Sequence, residues 1–150
     1  MTCDQARTLV GDRFPTAQVE AGPPLVVSVP PDAWLPLAQF AKHELQCRFF
    51  SFLTAVDWKE PGLEVVARVD NVDDRLSLVL KTKLGPGVSS CSSLTSVYRG
   101  ANWMERECYD MFGIHFEGHP DLRRMLLPDD WQGHPLLKSY AVDTPYPPYR

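Results

Sequence analysis

The side chains that could do chemistry concentrate between residues 102 and 140, in the run NWMERECYDMFGIHFEGHPDLRRMLLPDDWQGHPLLKSY. Three carboxylates fall close together there, Glu105, Glu107 and Asp110. On a helix Glu105 and Glu107 point to nearly opposite sides, so they cannot face each other across a substrate as the paired carboxylates of a glycosidase do. Glu107 and Asp110 share a face at i,i+3, and Arg106 and Asp110 at i,i+4, which predicts an Arg106–Asp110 clamp within the helix. His115 and His119 are four apart, but Gly113, Gly118 and Pro120 interrupt any helix that would align them. The order HFEGH also puts the glutamate in the wrong place for a zinc-binding HExxH. His119-Pro120 and His134-Pro135 read instead as turn elements, each imidazole free to donate to a backbone carbonyl. No GxSxG elbow surrounds the serines at 89–93, and the cysteines at 3, 47, 91 and 108 form no CxxC pair. Cys47 and Cys108 read as small buried hydrophobes. The enzymatic option left open is a free-standing acid–base site of Glu107, Asp110 and the histidines.

These residues must be positioned by a short helix and the chain after it. Asn102 as N-cap, with Glu105 in the reciprocal capping-box position, and Gly113 as the C-terminal stop predict a helix over 103–112. A helix that short needs neighbours to hold it in water. Trp103, Met104, Tyr109, Met111 and Phe112 show that it packs on several sides. From Pro120 onward periodicity ceases. Pro128, Pro135, Pro145, Pro147 and Pro148 alternate with Trp131, Tyr140, Tyr146 and Tyr149, which describes an extended arm with aromatic anchors. Aromatics with Arg123 and Arg124 are the side chains that dominate protein interfaces, so the arm is expected to lie across a partner.

Upstream, Ala6, Leu9, Val10 and Arg13 keep helical spacing, with Thr2 and Gln5 in capping-box positions. Leu25, Val27 and Val29 mark a short strand. Trp34, Leu37, Ala38, Ala41 and Leu45 form one helical stripe, whose start Pro36 limits. Phe49–Val56 is apolar at both parities and reads as a strand covered on both faces. Val65, Ala67 and Val69 alternate with Glu64, Arg68 and Asp70; Leu76, Leu78, Leu80 and Leu84 alternate with Ser77, Lys81 and Lys83. The short polar link at 71–74 joins these two strands as an antiparallel hairpin. The expected fold class is α+β: a small, mainly antiparallel sheet with helices on one face, then a short helical segment and an extended C-terminal arm. Gly85-Pro86-Gly87 and the serine run mark the start of a second, mostly helical part. The expected division is an α+β domain over 1–90, a helical segment over 91–119, and a partner-binding arm over 120–150.

The chain of 150 residues is 44% hydrophobic and 23% charged, the composition of a soluble globular protein. At that length a fold buries roughly 70% of its unfolded surface, so disulfides are not needed. A net charge of −4 argues against nucleic acid as the main partner. No apolar stretch approaches a membrane span, and the first residues lack a secretory pattern.

The run Glu105-Arg106-Glu107-Cys108-Tyr109-Asp110-Met111-Phe112-Gly113, followed by Gly118-His119-Pro120-Asp121-Leu122-Arg123-Arg124, carries a family likeness. It resembles the ERE-signature subunit family of the proton-pumping NADH:quinone oxidoreductase, respiratory complex I. The likeness continues through Leu127-Pro128-Asp129-Asp130-Trp131 and Gly133-His134-Pro135-Leu136. Leu137-Lys138-Ser139-Tyr140 departs from the family's more charged ending. The resemblance implies a non-catalytic subunit of the hydrophilic arm that binds no cofactor itself, in a complex that uses NADH, FMN, iron–sulfur clusters and quinone. It implies a hetero-oligomer with the large quinone-site subunit and the cluster-bearing subunits as partners, held peripherally on the cytoplasmic side of a bacterial plasma membrane. Related nickel–iron hydrogenases and F420- or ferredoxin-dependent complexes carry the same type of subunit. The residues implied at partner interfaces are Glu105, Arg106, Glu107, Asp110, Gly113, His119, Pro120, Arg123, Arg124, Trp131, His134 and Tyr140. Among them Glu107, Arg123 and Arg124 are expected at contacts between subunits, and Trp131 and Tyr140 as arm anchors.

Overall fold

The computed structural model describes residues 1–143. Helix α1 (Cys3–Arg13) starts at the expected capping box: Thr2 Oγ1 accepts from Gln5 N at 3.3 Å, and Gln5 Oε1 accepts from Thr2 N at 2.8 Å. After strands β1 (Gln18–Glu20) and β2 (Leu25–Val29), a 3-10 turn over Pro31–Ala33 leads into helix α2 (Trp34–His43). Pro36 sits in the first turn of α2, where its missing N–H breaks no helical bond. Trp34, Leu37, Ala38 and Ala41 form the buried stripe, spaced i, i+3, i+4, i+7.

Strands β3 (Phe49–Asp57), β4 (Leu63–Asn71) and β5 (Leu76–Gly85) complete a sheet of order β1-β2-β5-β4-β3. Three of its neighbouring pairs are antiparallel and one, β2 with β5, is parallel, so the sheet is mixed though mainly antiparallel. The expected hairpin between β4 and β5 forms. Buried Asn71 closes it, accepting from Asp74 N at 3.1 Å and donating to Leu45 O at 3.1 Å, which ties the turn to the end of α2.

Two expectations need correction. β3 is an edge strand with one uncovered face: Phe49, ahead of a bulge between Phe50 and Phe52, is 56% exposed, and Phe52, after it, 39%. Apolar residues at both parities therefore do not mark cover on both faces: Leu53 and Ala55 are buried while Phe52 and Thr54 are exposed. The part after residue 90, expected to be mostly helical, also holds two short strands. β6 (Ser90–Ser92) and β7 (His115–Glu117) pair in parallel around helix α3 (Ala101–Phe112), giving a two-stranded ribbon too short for periodicity to disclose.

α3 packs along β3. Leu53 N, on the open edge of β3, points at Met104 Sδ at 3.1 Å, so the helix blunts the edge that would otherwise offer unpaired backbone groups. A single hydrophobic cluster runs from Ala6 and Val10 through Leu78 and Leu80 to Cys108, Ile114 and Phe116. α3 is therefore built into the same core as the sheet.

Two glycines give opposite tests of this packing. A Cβ on Gly62 (φ +94) would stand 2.3 Å from Gly85 O, whereas one on Gly11, within α1, meets nothing within 4 Å. Gly62→Ala is expected to cost about 2 kcal/mol or more, and Gly11→Ala to add about 0.5–1 kcal/mol. Urea unfolding of both variants checks this, and equal stabilities would contradict the close β4–β5 approach.

Candidate interaction site

Each charged residue of α3 has a separate destination. Glu105 is fully buried and faces the loop after β6. Its carboxylate accepts from Ser93 Oγ at 2.6 Å and from Leu94 N at 2.6 Å, and Ser93 Oγ also bonds Thr95 at 2.7 Å. Burial pushes the Glu105 carboxyl up to about 7, against the two hydrogen bonds that favour its charged form. Glu105 is thus not a capping-box partner. α3 begins at Ala101 with Gly100, which has no side chain to offer, as N-cap, so that Asn102 lies inside the helix while Glu105 binds Ser93. Cys91 and Cys108 are buried as well, and burial pushes both thiols up, that of Cys91 to about 12.

Arg106 and Asp110 do not clamp each other. Arg106, 7% exposed, donates through Nε to Arg123 O and through Nη2 to Arg124 O, each at 3.2 Å, while its guanidinium lies 5.0 Å from the Trp103 ring centroid. Asp110 is completely buried. Its Oδ1 takes Arg124 Nη1 at 2.8 Å, and its Oδ2 takes three consecutive backbone amides, Met125, Leu126 and Leu127, at 3.2, 2.8 and 3.0 Å. Burial alone would push this carboxyl up, but the backbone bonds from Leu127, Leu126 and Met125 and the Arg124 guanidinium outweigh it and hold it below the usual carboxylate range. The reason for the correction is reach: the returning chain brings better-directed donors to Asp110 than the neighbouring helical turn can.

The returning chain also satisfies the carbonyls at the C-terminal end of α3. His134 Nδ1 donates to Asp110 O at 3.0 Å, Leu136 N to Met111 O at 3.0 Å, and Arg124 Nη1 reaches Asp110 O at 3.4 Å. Arg124 Nη2 continues to Gly133 O at 3.1 Å. A cation at this end also complements the helix dipole. Gly113 stops the helix as expected, with φ +72, and its missing Cβ leaves room for the His134 ring, which would be 2.8 Å from it. His119 spans the other end: Nδ1 accepts from Asp121 N at 3.0 Å, so Nε2 carries the proton and donates to Asn102 O at 3.0 Å. Both His-Pro turns therefore reach a backbone carbonyl, as read from sequence. Lys138 N donates to Asp57 Oδ2 at 2.8 Å, pinning the chain to the end of β3.

In its described part the arm accordingly lies against its own domain. Residues 121–138 form a clasp on α3, and Tyr140 packs over Gly133, which orders the turn beside His134. Arg124, expected between subunits, is spent inside this clasp. Tyr146, Tyr149, Pro145, Pro147 and Pro148 lie outside the described residues. Left on the surface are Glu107, Trp103 at 63% exposure, Arg123 beside Asp121 at 2.9 Å, and Leu126 and Leu136 on the outside of the clasp. Among the described residues no three His, Cys, Asp or Glu side chains are grouped to hold a metal, and no helix is long and apolar enough to cross a membrane. Asp110, with both oxygens occupied, has no position from which to take a substrate proton. Ser93 and Met104 are the functional partners that sequence reasoning missed; neither carries a spacing that points to its contact.

The family described as "Respiratory-chain NADH dehydrogenase, 30 Kd subunit" matches residues 27–146. The C subunit of the NADH-quinone oxidoreductase of Geotalea uraniireducens is 40% identical over 111 residues, covering 73% of this chain and 68% of that protein. Its counterpart in Geobacter sulfurreducens is 37% identical over 124 residues, covering 81% and 76%. That of Chlorobium phaeobacteroides is 35% identical over 149 residues, covering 95% and 89%. Among solved structures, a trypsin-resistant fragment of Nqo5 superposes with a TM-score of 0.66 at 24% identity, covering 79% of this chain and 98% of the fragment. A chain of the membrane-bound sulfane sulfur reductase, an archaeal respiratory membrane complex, superposes with a TM-score of 0.75 at 24% identity, covering 85% and 77%. Both structures share the fold.

Two variants test the clasp. Asp110→Asn leaves Arg124 uncompensated and offers an amide group to other amides; it is expected to cost about 3–5 kcal/mol and to open Arg123, Arg124 and Lys138 to trypsin. An unchanged digestion pattern would show that the clasp does not depend on Asp110. For Glu105 the folded state binds the proton more tightly than the unfolded chain. Its contribution to stability is full below about 4.5 and is lost as pH rises to about 7. Glu105→Gln, whose amide can donate to Ser93 and accept from Leu94 N at any pH, is expected to remove a change on the order of 2–3 kcal/mol from the stability profile across that window. A profile identical to that of the parent chain would exclude the buried proton.

Proposed function

The chain belongs to the family of the respiratory-chain NADH dehydrogenase 30 kDa subunit, and on that premise we propose that it serves as this subunit in an NADH:quinone oxidoreductase, where it holds its neighbours in place and performs no chemistry of its own. The observation that supports a positional role is the use of Glu105, Arg106 and Asp110. All three are consumed in fastening α3 to the loop after β6 and to residues 123–127. A complex that passes electrons from NADH through FMN and iron–sulfur clusters to quinone needs those groups held rigidly, and a supporting shell of packed side chains decides whether such a site keeps its geometry. The cofactors belong to the other subunits in this reading.

The partners proposed are the large quinone-site subunit and the cluster-bearing subunits, and the location is peripheral, on the cytoplasmic side of a bacterial plasma membrane. The surface offered to them is the outside of the clasp and the free face of α3: Trp103, Glu107, Arg123, Leu126 and Leu136. Charges buried in pairs, as Arg124 is with Asp110, have little to offer a neighbour, whereas an exposed aromatic beside surface charge suits contact between subunits.

Purification through this chain from detergent-solubilised membranes, followed by mass spectrometry, tests the reading. A flavin-bearing, NADH-oxidising subunit together with cluster-bearing subunits is the expected retinue. Recovery of the chain alone would overturn the proposal, and a nickel-bearing large subunit would move the chain to the hydrogenase branch. Glu107→Arg is expected to lower the assembled complex on the order of ten-fold while the unfolding midpoint of the isolated chain stays unchanged.

A further inference from the structure

We propose that a basic groove where the end of α2, the start of β3 and the loop before α3 meet receives an acidic segment of a neighbouring subunit. The groove has a volume of about 470 Å³ and is lined by Lys42, Arg48 and Arg99, with Ser96 beside them, and no carboxylate among the described residues lines it. None of the three cations joins a salt bridge among the described residues. What sets these three apart is that they line one recess together with no carboxylate of the described residues on its wall, in a chain that carries 19 acidic residues against 15 basic ones.

The groove is also held in shape. The Tyr98 ring stacks on Phe50 with centroids 5.0 Å apart, and Tyr98 OH donates to Cys47 O at 2.8 Å. Lys42 Nζ donates to Val97 O and lies 5.3 Å from the Tyr98 ring centroid, which leaves further ammonium hydrogens for a ligand. Arg48 donates to the side chain of Gln46, a neutral partner that orients the guanidinium without neutralising it. Gln46 itself is held in the left-handed region, φ 55. Three like charges along a concave wall repel one another, and a carboxylate seated between them relieves that repulsion.

An acidic protein segment fits better than the other anions of a cell. A membrane surface is recognised by clusters of about four to eight basic residues, and nucleic acid by a basic face; this chain offers three cations in a recess and a net charge of −4. Exposed Phe49, which follows Arg48 in sequence, adds the aromatic area that an interface with a folded subunit uses.

This inference rests on the reading of the chain as a subunit, and the test separates the two. A photo-crosslinking residue is placed at Ser96 in the full chain, the complex is assembled in cells, and the product of illumination is identified by mass spectrometry. The expected product joins Ser96 to a peptide of another subunit that carries adjacent Asp or Glu residues. Arg48→Glu with Arg99→Glu is expected to lower assembled complex about ten-fold, and Arg48→Lys with Arg99→Lys to retain most of it. If the chain co-purifies with its complex but position 96 links to lipid, to no protein, or to a peptide without carboxylates, the groove proposal falls and the subunit reading stands. If the reversed pair assembles normally, the groove proposal also falls. Should the parent chain be recovered alone, both fall together. Arg99→Gln, which removes one positive charge without introducing a negative one, guards against a misfolded double variant: a several-fold loss of assembly with an unchanged unfolding midpoint supports the groove, and normal assembly contradicts it.

Discussion

The buried carboxylate of Asp110 is the constraint on which the C-terminal third of the described chain depends. A fully desolvated charge is tolerated only when its lone pairs are filled, and here they are filled by one guanidinium and three successive amides of a chain that has no regular structure. Three amides converging on one oxygen form the kind of backbone nest that stabilises anions. The dependence runs both ways. The amides of 125–127 would be unpaired without Asp110, and Asp110 would be an uncompensated charge without them. Residues 121–138 are therefore ordered by an electrostatic focus and by helix-end carbonyls, with only Leu122 and Leu137 packed against the core.

The helix that carries Asp110 works as a two-sided fastener. Glu105 on its inner side ties it to Ser93 and Leu94, so that α3, β6 and β7 are fastened to one another over the same core as the sheet. Arg106 and Asp110 on its outer side take hold of the returning chain. Met104 meanwhile caps the open edge of β3. Trp103 and Glu107 are what remains for other molecules. The two buried carboxylates respond to pH in opposite senses. The contribution of Glu105 weakens as pH rises towards about 7, while that of Asp110 is present above the ordinary carboxylate range and fades as pH falls through the lowered value. Inner and outer fastenings thus weaken at different ends of the pH scale.

Local chemistry along the chain accounts for much of this molecule. The capping box at Thr2 and Gln5, the stripe of Trp34, Leu37, Ala38 and Ala41, the alternation of β4 and β5, and the stop at Gly113 each depend on neighbours within a few residues, so each is readable without the fold. The two His-Pro turns belong with them, since an imidazole beside a proline-fixed turn has few targets but a carbonyl. The family was legible as well, because its motif runs from Glu105 to Leu136 as a linear pattern of residue types that can be read without any structural knowledge.

Tertiary structure decided the rest, for reasons of distance. The partner of Asp110 is Arg124, fourteen residues away across an irregular turn, and helical spacing points wrongly to Arg106 because i,i+4 geometry knows nothing of a chain that returns. The partner of Glu105 is a serine twelve residues upstream, and the helix starts at Ala101, ahead of the Asn102 expected to cap it. Only the folded chain shows that β3 is an edge with one open face, that β2 runs parallel to β5, and that β6 meets β7. The same holds for the convergence of Lys42, Arg48 and Arg99, whose sequence separation hides a shared groove. Sequence alone determined which segments form helices and the longer strands and to which family they belong, because those are properties of short-range spacing. Which charges are spent inside the molecule and which remain for a partner was decided in three dimensions, because burial and pairing belong to the returning chain and not to any residue by itself.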